Sequence, residues 1–392
     1  MTSQPRTPKT VSLMRLARIS LWLGIAGFGG GFAIVQQLKR IVVEKEGWLS
    51  EEAFLEFFAV ASALPGTPAT NLLTIIGVRL VGFVCGIVSA ALFLLPSVVV
   101  MIAFGANYGH FRNIASLGTF LDGMSLATVG VVAGVASDIG RSALKRPFDW
   151  LLAIFAAIVL IIHALTLLEV MALAALCGAV LVRPHDTPSN ASRSSRLDKS
   201  SFHGSLLPGL SVVTLSASPL LVLLIVFARI GVATFGGGFA MIPAIEHEIV
   251  TARHWLSEAA FNDAIVLGQI TPGPVAIAAT FIGYHIAGLG GAAAATLGMF
   301  APPMLLSLAA GRSMQAFHSN VIIQGALRGV TPAMVGILAA AAVALWKTSV
   351  HGIWPAAIAT VATLVLLIDR RIMPLFVLIG GGFASMTIAM IR

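Results

Sequence analysis

The chain contains one unit twice. The hexapeptide Phe-Gly-Gly-Gly-Phe-Ala occupies residues 28–33 and returns at residues 235–240, an offset of 207 residues. The same offset carries the tetrapeptide Trp-Leu-Ser-Glu of residues 48–51 onto residues 255–258, and after a slip of one residue further glycines and prolines continue to match. A repeat of this length is unlike the short units of a solenoid. It predicts a fold made of two homologous halves.

Composition identifies lipid as the main solvent of the chain. Hydrophobic residues make up 58% of the 392 residues and charged residues 10%, whereas a soluble domain is roughly 25% charged. Many windows reach the ~20 apolar residues that a helix needs to cross a bilayer. The sequence therefore predicts an all-α polytopic membrane protein rather than a β-barrel. Duplicated halves are typical of transporters, with the site between the halves and the second half inverted. We expect inversion, although the loop charges leave parallel halves open.

The basic residues do not predict a nucleic-acid surface. The net charge is +8, but the lysines and arginines are scattered at the ends of apolar runs and in one linker, as the positive-inside rule predicts. Basic residues before the first apolar run place the N-terminus in the cytoplasm. Cys85 and Cys177 lie in separate apolar runs without metal-ligand spacing. No cofactor, metal site or disulfide is therefore expected.

A polar linker separates the two halves. Residues 183–204 are rich in Ser, Arg and Pro and cannot pack a core, so residues 1–182 form the first predicted transmembrane repeat and residues 205–392 the second. The number of segments is about ten to thirteen, depending on how internal breaks are counted. The runs with few or no charges are residues 19–38, 57–78, 80–109, 123–137, 150–182, 206–245, 264–311, 329–346, 348–368 and 372–391.

A glycine triplet interrupts the first apolar run of each half. The six residues are Gly29, Gly30, Gly31, Gly236, Gly237 and Gly238. One interpretation is close helix packing. However, three glycines weaken a helix by about 2–3 kcal/mol relative to alanine, and both halves keep the triplet between phenylalanines. A break there exposes backbone N–H groups and a helix N-terminus with about half a positive charge. The pattern predicts an anion site.

A second break follows in each half, at a Pro-Gly element. Proline lacks an N–H donor and disfavours helix in the residue before it, and unwound backbone at membrane depth is tolerated only inside protein or along a water-filled cavity. Purely structural kinks are the alternative interpretation. We expect all four breaks to line one central site. The break residues are Pro65, Gly66, Thr67, Pro272, Gly273 and Pro274, and the neighbouring neutral hydrogen-bonding residues are Thr70, Asn71, Gln269 and Thr271.

These motifs together resemble those of the chromate ion transporter family. They are the paired Phe-Gly-Gly-Gly, Trp-Leu-Ser-Glu and Pro-Gly-Pro elements, followed by Gly-Ala-Leu-Arg-Gly-Val-Thr-Pro-Ala at residues 325–333, and they cover both halves. The resemblance implies a long-chain, two-domain transporter of the bacterial inner (plasma) membrane that exports chromate and confers chromate resistance. The first half departs from the family pattern, with Thr67 inserted in its Pro-Gly-Pro element and Asp122 at the position of Arg328.

Charged residues inside apolar segments are few. Each costs about 2.5–3.5 kcal/mol at mid-membrane, so each is expected to face protein or water. Arg328 is expected to bind the substrate or, alternatively, to pair with Asp122. Glu56 and Asp263 occupy equivalent positions and are candidates for proton coupling, with charge balance at a helix start as the alternative; Glu246 is a further candidate.

Helix-end donors recognise charge and shape rather than the central atom of an anion. Sulfate or another tetrahedral oxyanion is therefore the alternative substrate, and sulfate the expected competitor of chromate. An intramembrane enzyme would need a nucleophile with its base or a metal cluster, and the sequence has no His-Glu-x-x-His or Gly-x-Ser-x-Gly motif. The third class, a passive structural or receptor protein, does not explain why the helix breaks are duplicated. We expect a lipid-embedded transporter driven by the membrane potential or the proton gradient, with a homodimer left open.

Overall fold

Helices account for every regular element in the part of the chain that the structure describes. This computed structural model describes residues 11–27, 30–162, 164–181, 218–235, 238–313, 321–369 and 372–391. The predicted all-α class is confirmed. The predicted linker, residues 183–204, lies outside the described residues.

The first half contains eight α-helices and one π-helical turn within the described ranges. They are α1 (Leu13–Ala26), α2 (Gly30–Lys39), the π-helical turn (Arg40–Lys45), α3 (Glu51–Ala63), α4 (Pro68–Leu80), α5 (Phe83–Asn113), α6 (Ala115–Ala143), α7 (Pro147–Ile161) and α8 (Leu167–Leu181). The helix α1 thus ends before the glycine triplet and α2 begins within it, and the first Pro-Gly element separates α3 from α4.

The second half repeats this order. Its elements are α9 (Pro219–Ala233), a 3-10 turn (Phe239–Met241), α10 (Ile242–Ile245), a π-helical turn (Glu246–Thr251), α11 (Glu258–Ile270), a 3-10 turn (Val275–Ile277), α12 (Ala278–Arg312), α13 (Val321–Ser349), α14 (Ile353–Ile368) and α15 (Pro374–Ile391). The gap at Val81–Gly82 between α4 and α5 also has a counterpart in the second half. At the equivalent position α12 is kinked, at Ala287 and Gly288. The predicted duplication is therefore present in the fold.

The repeated Trp-Leu-Ser-Glu motif starts a helix in both halves. The Ser50 side chain accepts a hydrogen bond from the backbone of Ala53 at the start of α3, and Ser257 accepts one from Ala260 at the start of α11, each at 3.2 Å. A serine N-cap of this kind satisfies one of the otherwise unpaired amides of the first turn. Acidic residues follow each cap, where they face the positive end of the helix.

The last two helices of each half pack against a helix of the other half. The helices α14 and α15 pack on α6 of the first half, and α7 and α8 pack on α13 of the second, while α6 and α13 contact each other. Glycines permit these close approaches. A Cβ added at Gly130 would lie 2.6 Å from the backbone of Ala362, and one added at Gly325 would lie 2.9 Å from the carbonyl oxygen of Gly178. Small residues of this type are typical of helix contacts in membranes.

Five of the described helices are long and apolar enough to cross a membrane, namely α5, α6, α12 with its preceding 3-10 turn, α13 and α15. The apolar helices α7, α8, α9 and α14 are shorter. One sequence prediction was wrong: the short segment at residues 123–137 is part of the 29-residue helix α6, which includes both Asp122 and Asp138. These acids do not end the helix, because Asp122 is more than half exposed and ion-paired at its outer end.

We expect Gly336→Ala to destabilise the protein, because the new Cβ would collide with the carbonyl oxygen of Ala153 in α7. Overpacking of this kind costs about 1–3 kcal/mol. The matched control is Gly380→Ala in α15, where nothing lies within 4 Å of the new Cβ. Thermal unfolding in detergent should show a lower midpoint for Gly336→Ala alone. Equal midpoints for the two variants would contradict the packing described here.

Candidate functional site

Two backbone hydrogen bonds join the breaks of one half to those of the other. The amide of Gly66 donates to the carbonyl oxygen of Thr234 at 2.6 Å, and the amide of Gly273 donates to that of Gly27 at 3.0 Å. Gly66 and Gly273 are equivalent in the repeat, as are Gly27 and Thr234. Each Pro-Gly break is therefore bound to the residue that ends the first helix of the opposite half. This arrangement brings the four breaks to one place in the fold.

Both Pro-Gly breaks require glycine. Gly66 has a φ of +97° and Gly273 a φ of +108°, which L side chains rarely adopt. There is also no room for a side chain. A Cβ at Gly66 would lie 2.6 Å from Cβ of Pro303, and a Cβ at Gly273 would collide with the hydroxyl of Ser97. Ser97 and Pro303 are themselves equivalent in the repeat, so the two sides of the site are built alike.

The glycine triplet of the second half reaches the same place. Gly238 has a φ of +97°, and a Cβ there would lie 3.2 Å from the amide nitrogen of Ala276 and 3.7 Å from Cγ2 of Thr67. Three breaks are thus in contact around Gly238. In the first half Gly30 and Gly31 begin α2. The remaining predicted glycines, Gly29, Gly236 and Gly237, lie outside the described residues.

The neutral side chains next to the breaks mainly hold the breaks in shape. The Asn71 amide donates to the carbonyl oxygens of Pro65 at 2.8 Å and Ala61 at 3.1 Å. Thr271 donates to the carbonyl of Leu267 at 2.7 Å, and Ser97 donates to that of Pro272. Unwound backbone leaves carbonyls without helical partners. The Asn71 and Ser97 side chains satisfy such carbonyls, whereas the carbonyl of Leu267 also accepts from the backbone amide of Thr271 at 3.0 Å. Sequence reasoning missed Ser97, because only its place beside Pro96, the counterpart of Pro302, distinguishes it from other serines in apolar runs.

Two helix N-termini supply donors at the centre. The helix α4 begins immediately after Thr67, and the 3-10 turn that leads into α12 begins immediately after Pro274. First-turn amides point out of the N-terminal end and carry partial positive charge. The hydroxyls of Thr67 and Thr70 lie 2.7 Å apart, and these residues are only 2% and 3% exposed. Such an arrangement is suited to binding an anion.

The charged candidates lie in different surroundings. Asp263 is 1% exposed and accepts a hydrogen bond from the Tyr108 hydroxyl at 2.6 Å. The same carboxylate oxygen of Asp263, Oδ2, lies 3.5 Å from Nε of Arg112. The same guanidinium binds Asp122 at 2.7 Å, so the alternative prediction that Asp122 pairs with Arg328 is not what the structure shows. The arginine of the observed pair comes from the preceding helix, α5.

Three other predicted residues are more accessible. Glu56 on α3 and Arg328 on α13 are exposed, and Glu246 is half-buried and accepts a hydrogen bond from Thr251 at 3.0 Å. Gly329, beside Arg328, packs against Gly178 of α8. Among the described residues, no group of three His, Cys, Asp or Glu side chains is placed to hold a metal ion.

A duplicated helical membrane protein whose interrupted helices meet between its halves has the architecture of a secondary transporter. The chain belongs to the chromate transporter family, since the model of that family matches residues 14–181 and 221–386. The family match occurs twice, once in each half. It agrees with the resemblance seen in the sequence motifs.

Individual relatives support the same assignment. A chromate transport protein of Cupriavidus metallidurans is 29% identical over 382 residues, which cover 97% of this chain and 94% of the relative. A probable chromate transport protein of Synechococcus elongatus is 31% identical over 87% of this chain and 86% of its own length. An uncharacterized transporter of Bacillus subtilis is 31% identical over 171 residues, which cover 43% of this chain and 81% of its own length. No solved structure gives a significant match.

We expect Asn71→Leu to loosen the first Pro-Gly break, because the carbonyls of Ala61 and Pro65 would lose their donor. Each unpaired group costs about 1–3 kcal/mol. Thr74→Val is the matched control, since Thr74 is equally buried on the same helix and donates only to the carbonyl of Thr70 within it. Thermal unfolding should show a clearly lower midpoint for Asn71→Leu than for Thr74→Val. Similar midpoints would show that Asn71 does not hold the break.

Proposed function

We propose that the protein carries chromate across the membrane and that the four breaks form its anion site. The observation that supports this proposal most is the pair of reciprocal hydrogen bonds from Gly66 to Thr234 and from Gly273 to Gly27. They bind each Pro-Gly break to the residue that ends the first helix of the opposite half, and Gly238 lies between Thr67 and Ala276, so the N-terminal turns that follow both breaks lie close together, where a negative ion is favoured. The relatives named as chromate transport proteins make chromate the first substrate to test.

The proposed site matches a tetrahedral dianion in part. Two helix N-termini supply about one positive charge between them, and the Thr67 and Thr70 hydroxyls, which are hydrogen-bonded to each other, leave one neutral donor at the same place. The remaining charge must come from elsewhere. Arg328 as a direct ligand stays a prediction from the sequence. Sulfate has the same charge and shape as chromate, so it is both the expected competitor and the alternative substrate.

The helix pairing supports an inverted arrangement of the halves. The helix α3 packs against α4 across the first Pro-Gly break, and the amide of Gly66 in that break is bonded to Thr234 of the opposite half. Together they form a hairpin that enters and leaves on one side. Counting α1 with α2 as one broken span and α5 to α8 as one each gives an odd number of crossings per half. An odd number inverts the second half.

The direction we propose is export from the cytoplasm of a bacterium across its inner membrane. With a negative interior, moving a dianion outward is favoured by roughly 4.6 kcal/mol per 100 mV. Proton coupling would add the pH gradient to this driving force. Asp263 is the strongest candidate for it, because its carboxylate is buried and hydrogen-bonded. Glu56 and Glu246 remain further candidates.

We expect the purified protein in proteoliposomes to take up chromate, and Gly238→Leu to reduce that uptake about tenfold or more. The leucine would fill the space beside Thr67 and Ala276. Gly352→Leu is the matched control, because Gly352 also has a positive φ, +109°, but nothing lies closer than 4.0 Å to an added Cβ. Chromate uptake by Gly238→Leu equal to that of the control would place the anion elsewhere. Sulfate uptake without chromate uptake would favour the alternative substrate.

We also expect the membrane potential to drive export. Everted vesicles that contain the protein should accumulate chromate when energised, and an ionophore that collapses the potential should remove most of that uptake. Asp263→Asn should remove the dependence of uptake on the pH gradient. Vesicles without the protein are the control. Uptake that persists unchanged after the potential is lost would refute the electrical argument.

A further inference from the structure

The two halves differ most where their hairpins reach outward from the centre. In the second half α11 packs on α6, α12 and α13, whereas the equivalent α3 of the first half packs chiefly on α4. Asp263 on α11 is therefore 1% exposed, but Glu56, at the same position of α3, is exposed. The sequence makes these helices equivalent, and the structure gives them different surroundings.

A polar contact between the halves fastens α11. The carboxylate of Asp263 binds the hydroxyl of Tyr108 and lies near the guanidinium of Arg112, both on α5 of the first half. Arg112 also binds Asp122 on α6 and the carbonyl of Gly118 at 3.1 Å. These bonds close the face of α11 against the opposite half. They must open if α11 is to become as exposed as α3.

We propose that these bonds form one of two alternating gates and that Glu56 and Arg328 form the other. In the opposite state α3 packs on α13, as α11 now packs on α6, and Asp263 becomes exposed. This inference rests on the proposed transport function and on inverted halves. The helices support it, because α11 repeats the bounds of α3 and α13 repeats those of α6 at the offsets of the repeat. Exchange of the two conformations then brings Glu56 to Arg328.

The charges at these positions fit the two gates. Asp263 and Asp122 are both acidic and repel each other, so the observed gate needs Arg112 between them. At the equivalent positions Glu56 and Arg328 carry opposite charges and attract directly. Both side chains are exposed in the present state, and the proposed motion would bring them together. The two gates thereby give a physical reason why the first half has Asp122 at the position where the second half has Arg328.

Charge reversal tests the second gate. We expect Glu56→Arg and Arg328→Glu each to reduce transport about tenfold, and the double variant to recover to within about threefold of wild type, since the attraction is restored with its sign exchanged. The matched control combines Arg328→Glu with Glu52→Arg, one turn away on the exposed face of α3, and should not recover. A double variant no more active than the single variants would overturn the proposal. Recovery of transport in the double variant also distinguishes a gate from a substrate ligand. If Arg328 bound the substrate directly, an arginine placed on α3 at position 56 would not compensate for its replacement by glutamate.

A second measurement does not depend on chromate. In a background with Cys85→Ala and Cys177→Ala, the pair Glu56→Cys and Arg328→Cys should be joined by a short thiol cross-linker, whereas Glu52→Cys with Arg328→Cys should not. Cross-linking of Glu56→Cys with Arg328→Cys no greater than that of the Glu52→Cys control pair would overturn the gate. Cross-linking of Glu56→Cys with Arg328→Cys in a protein that moves no chromate would support the gate and refute the substrate.

Discussion

Two backbone hydrogen bonds, from Gly66 to Thr234 and from Gly273 to Gly27, determine how the rest of the molecule is arranged. An unpaired amide at membrane depth costs several kcal/mol, so an interrupted helix is stable there only if another part of the protein supplies the missing partner. Each half supplies it to the other. The breaks therefore occur in matched pairs, and the glycines at Gly66 and Gly273 are needed for the close approach.

The same mutual dependence extends to helix packing. Gly24 of α1 lies against the backbone of Phe93 in α5, and its counterpart Gly231 of α9 lies against Met299 in α12. Within each half, then, equivalent helices meet through equivalent glycines. Between the halves, α6 and α13 each pack with the last two helices of the other half. Neither half buries all of its own contact surface, and the interface between them is where we propose the anion site.

Local features of the chain were predictable from the sequence, but contacts between distant residues were not. The duplicated motifs predicted the breaks, since a break depends on residues within one turn. The bond between Tyr108 and Asp263 joins residues 155 apart, and that between Ser97 and Pro272 joins residues 175 apart. No periodicity signals such pairs. The length of α6 was underestimated because Asp122 was taken as a boundary, whereas its ion pair with Arg112 lets the helix continue past it.

The equivalent helices α3 and α11 have different surroundings, and this difference suggests how one proposed site could open to each side of the membrane in turn. The tips of both hairpins are tied to the centre through Gly66 and Gly273, and they are alike in the two halves. The outer parts of α3 and α11 differ, as the exposures of Glu56 and Asp263 show. A motion that keeps the tips bonded and exchanges the outer contacts would leave the proposed anion site intact while it changes which side is covered. In this proposed motion the symmetric bonds are the pivot, and the asymmetric charges define the two end states.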